Sequence, residues 1–269
     1  MNQRNLIVLG INADIGSQVA ERYANAGFSV LGTYRVENKN CERLQEHADI
    51  ELFRCDISDK ESIITFSEYV SETAFYWSNF FSSIGTTRPI KRFFQCNVEE
   101  WANSILLNFT NQLMTLHALY PYRNQEVMAS VNFMAGGGTN SAMVPYSAYC
   151  ASKIALIKMC ELLDSEQENM KFQILGPGLV KTKIHNETLT AGNDAEGNLN
   201  RIARFMSSVD SGSTHEDIFQ CLRWLDEAPK AAVGGRNFSL VHDPWGHSDL
   251  IEQLKYDADK FKLRRYGNT

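Results

Sequence analysis

The chain has 269 residues, 43% hydrophobic and 22% charged, with a formal net charge of −6. That composition fits one globular domain with a sizeable core; no apolar run is long enough to span a bilayer, so no membrane partner is expected, and no basic run is dense enough to track nucleic acid. Six cysteines without C-x-x-C spacing and six dispersed histidines suggest neither a disulfide framework nor a metal site.

Asn5-Leu6-Ile7-Val8-Leu9 is a short apolar run of the kind that forms a buried parallel strand. A chain that enters a strand so directly is expected in a reducing cytoplasm. Gly10-Ile11-Asn12-Ala13-Asp14-Ile15-Gly16 follows, then a helical pattern through Val19, Ala20, Tyr23 and Ala24 to a stop at Gly27. Phe28 to Thr33 makes a second strand. Strand, glycine turn, helix and strand in this order build a dinucleotide site. The glycines let backbone approach a pyrophosphate, and the helix N-terminus offers free N–H groups. Gly10, Asn12, Asp14, Ile15 and Gly16 are therefore candidate cofactor contacts. At the end of the second strand a carboxylate would bind the ribose 2′-hydroxyl of NAD, whereas an arginine accommodates a 2′-phosphate. Arg35, next to Tyr34, favours NADP(H) and leaves NAD(H) possible.

From Glu51 the chain reads as a third strand ending in Asp56, with Ser58 as N-cap of a helix through Ile63, Ile64, Phe66 and Val70. A fourth strand, Tyr76 to Phe81, ends in Ser82-Ser83-Ile84-Gly85. Glu99 to Tyr120 is one long helical pattern with Asn108 inside it, where Asn is mildly unfavourable and calls for an explanation. Strand five, Val127 to Met134, runs into Ala135-Gly136-Gly137-Gly138-Thr139-Asn140-Ser141. The next helix carries Tyr149 and Lys153, four residues apart and so on one face. A phenol has a reference pKa of about 10, and an ammonium beside it favours the phenolate. Strand six, Phe172 to Leu175, leads into Gly176-Pro177-Gly178-Leu179-Val180-Lys181-Thr182. Residues 183–210 are polar and predict a substrate lid, a loop of low local stability. A helix from Thr214, strand seven from Asn237 to Val241 and a C-terminal extension over 243–269 complete the chain.

Tyr149-x-x-x-Lys153, Asn108 and Pro177-Gly178-x-Val180-x-Thr182 resemble the active-site motifs of the short-chain dehydrogenase/reductase family, classical branch, and the resemblance covers nearly the whole chain. It implies a single Rossmann-type domain over 1–269: an α/β fold with a doubly wound, seven-stranded parallel sheet in three α/β/α layers. It implies that Tyr149 exchanges a proton with the reacting oxygen, that Lys153 holds ribose hydroxyls and depresses the Tyr149 pKa, and that Asn108 links a water-borne proton path to solvent. Asp56 and Ile57 would hold the adenine. Ser82, Ser83, Ile84 and Gly85 would line the adenosine ribose, where relatives carry Asn-Asn-Ala-Gly. Pro177, Gly178, Val180 and Thr182 would meet the nicotinamide, and Tyr34 fills the slot where NAD-preferring relatives carry Asp. Pairing through the helices that hold Asn108 and Tyr149 would give a homodimer or homotetramer.

Two departures stand out. Asp14 replaces the middle glycine of the family turn, and the family's serine upstream of Tyr149 falls among Ala135, Gly136 and Gly137, none with a hydroxyl; Thr139 and Ser141 lie close by. Three functions follow: an NADP(H)-dependent oxidoreductase interconverting a carbonyl and a secondary alcohol on a small molecule, a non-catalytic dinucleotide-binding sensor or partner subunit, or, disfavoured for want of the larger C-terminal substrate domain, a sugar-nucleotide epimerase or dehydratase of the extended branch. Trp245 and the Leu263-Arg264-Arg265 ending resemble a subgroup associated with carbohydrate and surface-polysaccharide biosynthesis.

Overall fold

The computed structural model describes residues 4–209 and 212–265; Asp210 at the end of the expected lid, residues 266–269 of the C-terminal extension and residues 1–3 lie outside the described residues. The first strand, β1 (Asn5–Leu9), is buried at all five positions, so both of its faces need a cover. Alternation along a strand divides its side chains between those covers. Leu6 and Val8 pack in one apolar cluster with Val19, Ala20 and Tyr23 of α1 (Asp14–Asn25). Ile7 and Leu9 enter a second cluster on the opposite face.

The chain continues through β2 (Ser29–Tyr34), α2 (Lys39–Gln45), β3 (Ile50–Arg54), α3 (Lys60–Glu72) and β4 (Asn79–Ser82). It then crosses α4 (Val98–Ile105) and α5 (Asn111–Leu119) to β5 (Ala129–Met134), and α6 (Ser147–Glu166) to β6 (Met170–Gly176). The segment after β6 holds α7 (His185–Ala191) and α8 (Gly197–Ser207), followed by α9 (His215–Glu227), α10 (Lys230–Val233), β7 (Arg236–Ser239) and α11 (Ser248–Tyr256). The seven strands lie in the order β3-β2-β1-β4-β5-β6-β7, every neighbouring pair parallel. The α1, α9, α10 and α11 helices cover one face, and α3, α5 and α6 the other. This is the doubly wound three-layer sheet expected above. Its order reverses between β1 and β4, and the crevice outside the strands' C-terminal ends at that point is where such folds take ligands.

Several local expectations shift. The fourth strand begins at Asn79 rather than Tyr76, because Asn79 pairs with Leu6 while Trp77 turns its ring fully inward and donates to Leu119 O at 2.9 Å. Asp59, not Ser58, caps α3, its carboxylate accepting from Glu61 N at 3.2 Å, while Ser58 N is held in the preceding turn by Asp56 Oδ1 at 2.9 Å. The helical stretch from Val98 is interrupted by a wider π turn over Leu106–Thr110, with Asn108 at its centre and fully buried. The segment expected as an irregular lid is largely helical, with Ile202 and Phe205 turned inward as anchors.

A polar cluster is buried between the sheet and α9. Tyr23 donates to Asp226 Oδ2 at 2.6 Å, Asn132 donates to Asp226 Oδ1 at 3.0 Å, and Lys171 Nζ donates to the carbonyls of Leu225, Asp226 and Ala228 at 2.6–2.8 Å. Lys171 thereby closes the C-terminal end of α9, whose last carbonyls have no helical partner. Lys171→Met leaves these acceptors unpaired, and a net loss of about 2 kcal/mol, some 4–8 °C in melting temperature at this chain length, is expected in thermal unfolding. Burial holds the Lys171 pKa down at about 8. Between that value and the unfolded pKa the unfolded chain binds more protons, so the wild type's margin over the variant widens as pH rises through the window. A margin that narrows from pH 7.5 to 9.5 contradicts this.

Candidate functional site

At the crevice, the turn between β1 and α1 is closed so tightly that neither Gly10 nor Gly16 admits a side chain. Gly10 has φ +73°, and a Cβ on Gly16 would lie 2.3 Å from Gly10 O. Ala13 caps α1 without a side-chain hydrogen bond, which leaves the first N–H groups of a 12-residue helix free for an anion. Asp14 turns its carboxylate away, accepting from Lys183 N at 2.6 Å, with Lys183 Nζ 3.9 Å from the other oxygen. Asn12 fastens the turn to the segment after β2: its amide donates to Val36 O at 2.7 Å, and its carbonyl accepts from Asn38 and Asn40. Tyr34 is half-buried against the core, and Arg35 is exposed beside it. Asp56 is half-buried and Ile57 buried at the end of β3. Ser83 donates to Leu9 O and Gly10 O at 3.1 and 2.9 Å, bracing the turn from β4.

Ser82, expected among the cofactor contacts, turns its side chain away from the crevice. Its hydroxyl is fully buried and donates to Gln112 Oε1 of α5 at 2.7 Å, because a strand's neighbouring side chains point to opposite faces and Ser83 takes the crevice side.

A cavity of about 740 Å³ opens over the ends of β4, β5 and β6. Ile15, Ser83, Ile84, Gly85, Tyr149, Lys153, Pro177, Gly178, Val180 and Thr182 all line it, together with Thr139 and Ser141. Gly10, Asn12, Asp14, Gly16, Tyr34, Arg35, Asp56, Ile57 and Asn108 stand outside its wall. Tyr149 and Lys153 share a face of α6, with Lys153 Nζ 5.9 Å from the tyrosine ring centroid. Lys153 is almost fully buried and donates to Met134 O at 2.9 Å; burial brings its pKa down to about 8. The expected depression of the Tyr149 pKa is overturned for the protein's own groups. Burial raises it, and the nearby Cys150 and Glu187 charges push the same way.

Two of the three glycines leave room for side chains of α6. A Cβ on Gly136 would lie 2.2 Å from Tyr149 Oη, and a Cβ on Gly138, at φ +93°, would lie 2.5 Å from Cys150 Sγ. The tyrosine's hydroxyl end occupies the volume a side chain at 136 needs. Asn108 does something specific from its π turn: Oδ1 accepts from Thr86 N at 2.9 Å, and Nδ2 donates to Thr86 O at 2.9 Å and Ser104 Oγ at 3.1 Å. Its own carbonyl accepts from Gln112 Nε2 at 2.8 Å. Asn108 Oδ1 and Lys153 Nζ both face Gly85, 3.5 and 3.8 Å from where its Cβ would be.

Residues 10–235 match the family model described as enoyl-(acyl carrier protein) reductase. The chain belongs to the short-chain dehydrogenase/reductase family. Among its relatives in this family, an uncharacterised oxidoreductase of Staphylococcus saprophyticus is 25% identical over 189 residues, covering 68% of this chain and 80% of that one. An NADPH-dependent pterin aldehyde reductase of Arabidopsis thaliana is 22% identical over 188 residues, covering 67% and 76%. In structure, a short-chain dehydrogenase/reductase from Saccharomyces cerevisiae superposes with a TM-score of 0.77 at 18% identity, covering 90% of this chain and 97% of that one.

In this short-chain dehydrogenase/reductase the helical segment after β6 is fastened down at several points. Glu187 accepts from Thr86 Oγ1 at 3.0 Å and from Thr87 N and Oγ1 at 2.6 Å each. Tyr146 and Thr188 share a hydroxyl hydrogen bond of 2.9 Å, His185 Nε2 donates to Val180 O at 2.9 Å, and Asn198 donates to Val144 O at 2.8 Å. Tyr146, His185, Thr188, Asn198 and Arg201 line the cavity and were not singled out from the sequence. One signal was available: polar residues recur at helical spacing within a segment read as a loop, at 185 and 188 and again at 198 and 201.

Proposed function

We propose that this chain is an NADP(H)-dependent oxidoreductase that interconverts a carbonyl and a secondary alcohol on a small molecule. The observation that carries the reading is Tyr149 beside Lys153 on the floor of the 740 Å³ cavity, with the 177–182 segment on its wall and the uncapped start of α1 next to it. The residues present fit a dinucleotide: the glycine turn excludes side chains, and the carboxylate at Asp14 is drawn off by Lys183. When bound, the nicotinamide supplies or takes the hydride. Tyr149 donates the proton to the carbonyl oxygen in reduction, a role that suits a phenol kept protonated by burial. Lys153 would hold the ribose hydroxyls, and its ammonium beside the ring would offset the phenolate charge left on Tyr149 after the proton has passed to the oxygen. Asn108 holds the Thr86 backbone, and through it the loop that fastens Glu187 of the lid. With glycine at 136, Thr139 and Ser141 are the hydroxyls on the cavity wall able to serve as a second donor to the oxygen. Exposed Phe93, Phe94, Val98 and Leu106 support pairing of two copies through the α4 region.

Arg35 on the exposed end of β2, with no carboxylate at Tyr34, supports NADPH over NADH. Arg35→Glu is expected to lower kcat/KM for NADPH about tenfold or more by turning an attraction for the 2′-phosphate into repulsion, with little change for NADH. Steady-state rates with each cofactor check this, and equal losses with both would remove the NADPH assignment. The second reading, a dinucleotide-binding protein without turnover, is favoured by one feature, the missing hydroxyl at Gly136. NADPH oxidation across a broad panel of aldehydes and ketones separates the two. Tight NADPH binding with no turnover anywhere on the panel makes the protein a binder.

A further inference from the structure

Resting on the reductase reading, we infer that the substrate carries an anionic group, a carboxylate or a phosphate, and that Arg201 of the lid helix α8 pairs with it. Arg201 lines the cavity and is exposed to it, and no carboxylate among the described residues lies within ion-pair distance of its guanidinium. Its surroundings place it at the substrate end. Asn198, one helical turn away, donates to Val144 O of the loop before α6, and the Arg201 charge is felt at Tyr146 and His185. Tyr146 stands at the start of the helix that carries Tyr149. The cofactor's pyrophosphate cradle lies elsewhere, at the glycine turn between β1 and α1, where Lys183 and Asp14 already neutralise one another.

The remaining charges at the cavity leave this one uncompensated. Lys153 donates to Met134 O, and Lys262 lies away at the β7 end, among Arg236, Arg264, Glu161 and Asp164. Glu187, the nearest lid carboxylate to Tyr149, is saturated by Thr86 and Thr87 and stays out of the cavity wall. Asp243 belongs to the β7 end and accepts from Ser239 N at 2.6 Å. A guanidinium held on a lid over a partly enclosed, apolar-walled cavity matches a carboxylate or phosphate through two parallel N–H donors. The same contact would draw α8 down over the substrate, which ties recognition of the anion to closure.

Matched pairs of carbonyl compounds test this with NADPH as reductant: 4-oxopentanoate against its methyl ester for the carboxylate, and dihydroxyacetone phosphate against dihydroxyacetone for the phosphate. The expected result is a kcat/KM ratio of about ten or more for the anion in one pair, expressed mainly in KM, and the responding pair identifies the anion. In Arg201→Gln that ratio falls toward one, and Arg201→Lys retains part of it. Turnover of the neutral partners as fast as the anions, or a ratio untouched by Arg201→Gln, overturns the inference and leaves the reductase reading standing. Absence of turnover with every member of a broad carbonyl panel sinks the reading itself, and the inference with it.

Discussion

Tyr149→Phe is expected to remove carbonyl reduction almost entirely, lowering kcat/KM by about 10²–10⁴-fold, the usual worth of a positioned general acid. The substitution deletes one oxygen. Among the described residues Tyr149 Oη has no hydrogen-bond partner, so neither the fold nor the cavity wall depends on it. Melting temperature and NADPH affinity should therefore stay close to those of the wild type, and the loss should appear in kcat with the reacting carbonyl already bound. Stopped-flow measurement of a single NADPH turnover separates that chemical step from binding and release. A Tyr149→Phe protein that still oxidises NADPH at the wild-type rate in the presence of a substrate ketone would move the proton donor elsewhere, and Thr139, Ser141 and Tyr146 are the hydroxyls on the same cavity wall.

Gly136→Ser is the second large effect, and its direction is counter to a family comparison. Restoring the family's hydroxyl ought to help a weakened enzyme. Here a Cβ at 136 falls 2.2 Å from Tyr149 Oη and 2.5 Å from Cζ, well inside contact distance. The atoms met belong to the free end of a ring that borders the cavity, so the ring can swing aside. The cost in stability is modest, about 1 kcal/mol, or roughly 2–4 °C in melting temperature. Catalysis bears the larger loss, since a displacement of about 1 Å at a reacting group can cost 10²-fold. Gly136→Ala should behave alike, because the clash arises from Cβ and not from the hydroxyl. Kinetics of both variants, read beside wild type and Tyr149→Phe, decide the matter: a serine variant faster than wild type would show that Tyr149 works from a position away from Gly136.

The two departures noted in the sequence thus have different standings once the chain is folded. Asp14 puts a carboxylate where the family turn has glycine, and Lys183, 169 residues further on, takes it up. Glycine at 136 leaves the Tyr149 hydroxyl the space that a Cβ there would fill. Neither resolution could be read from spacing. Asn108, by contrast, was singled out because Asn is a poor helix residue, and the π turn with its clamp on Thr86 is the reason it is there.

What the sequence settled by itself was whatever depends on short-range periodicity and on backbone chemistry. The unbroken apolar run of β1 announces a strand covered on both faces. Gly10 and Gly16 announce a turn that cannot hold side chains, and the four-residue interval puts Tyr149 and Lys153 on one face of α6. Tertiary packing alone decided which way each polar side chain points and what charge it feels. Ser82 turns from the crevice to Gln112, Glu187 reaches back 100 residues to Thr87, and Arg201 is left facing the cavity without a partner among the described residues. It also reversed the direction of the Tyr149 pKa, because burial of a phenol opposes its ionisation more strongly here than a lysine 5.9 Å from the ring favours it. Local propensity acts over one or two turns of chain. Desolvation and long-range hydrogen bonds are set by neighbours that only the closed fold brings together.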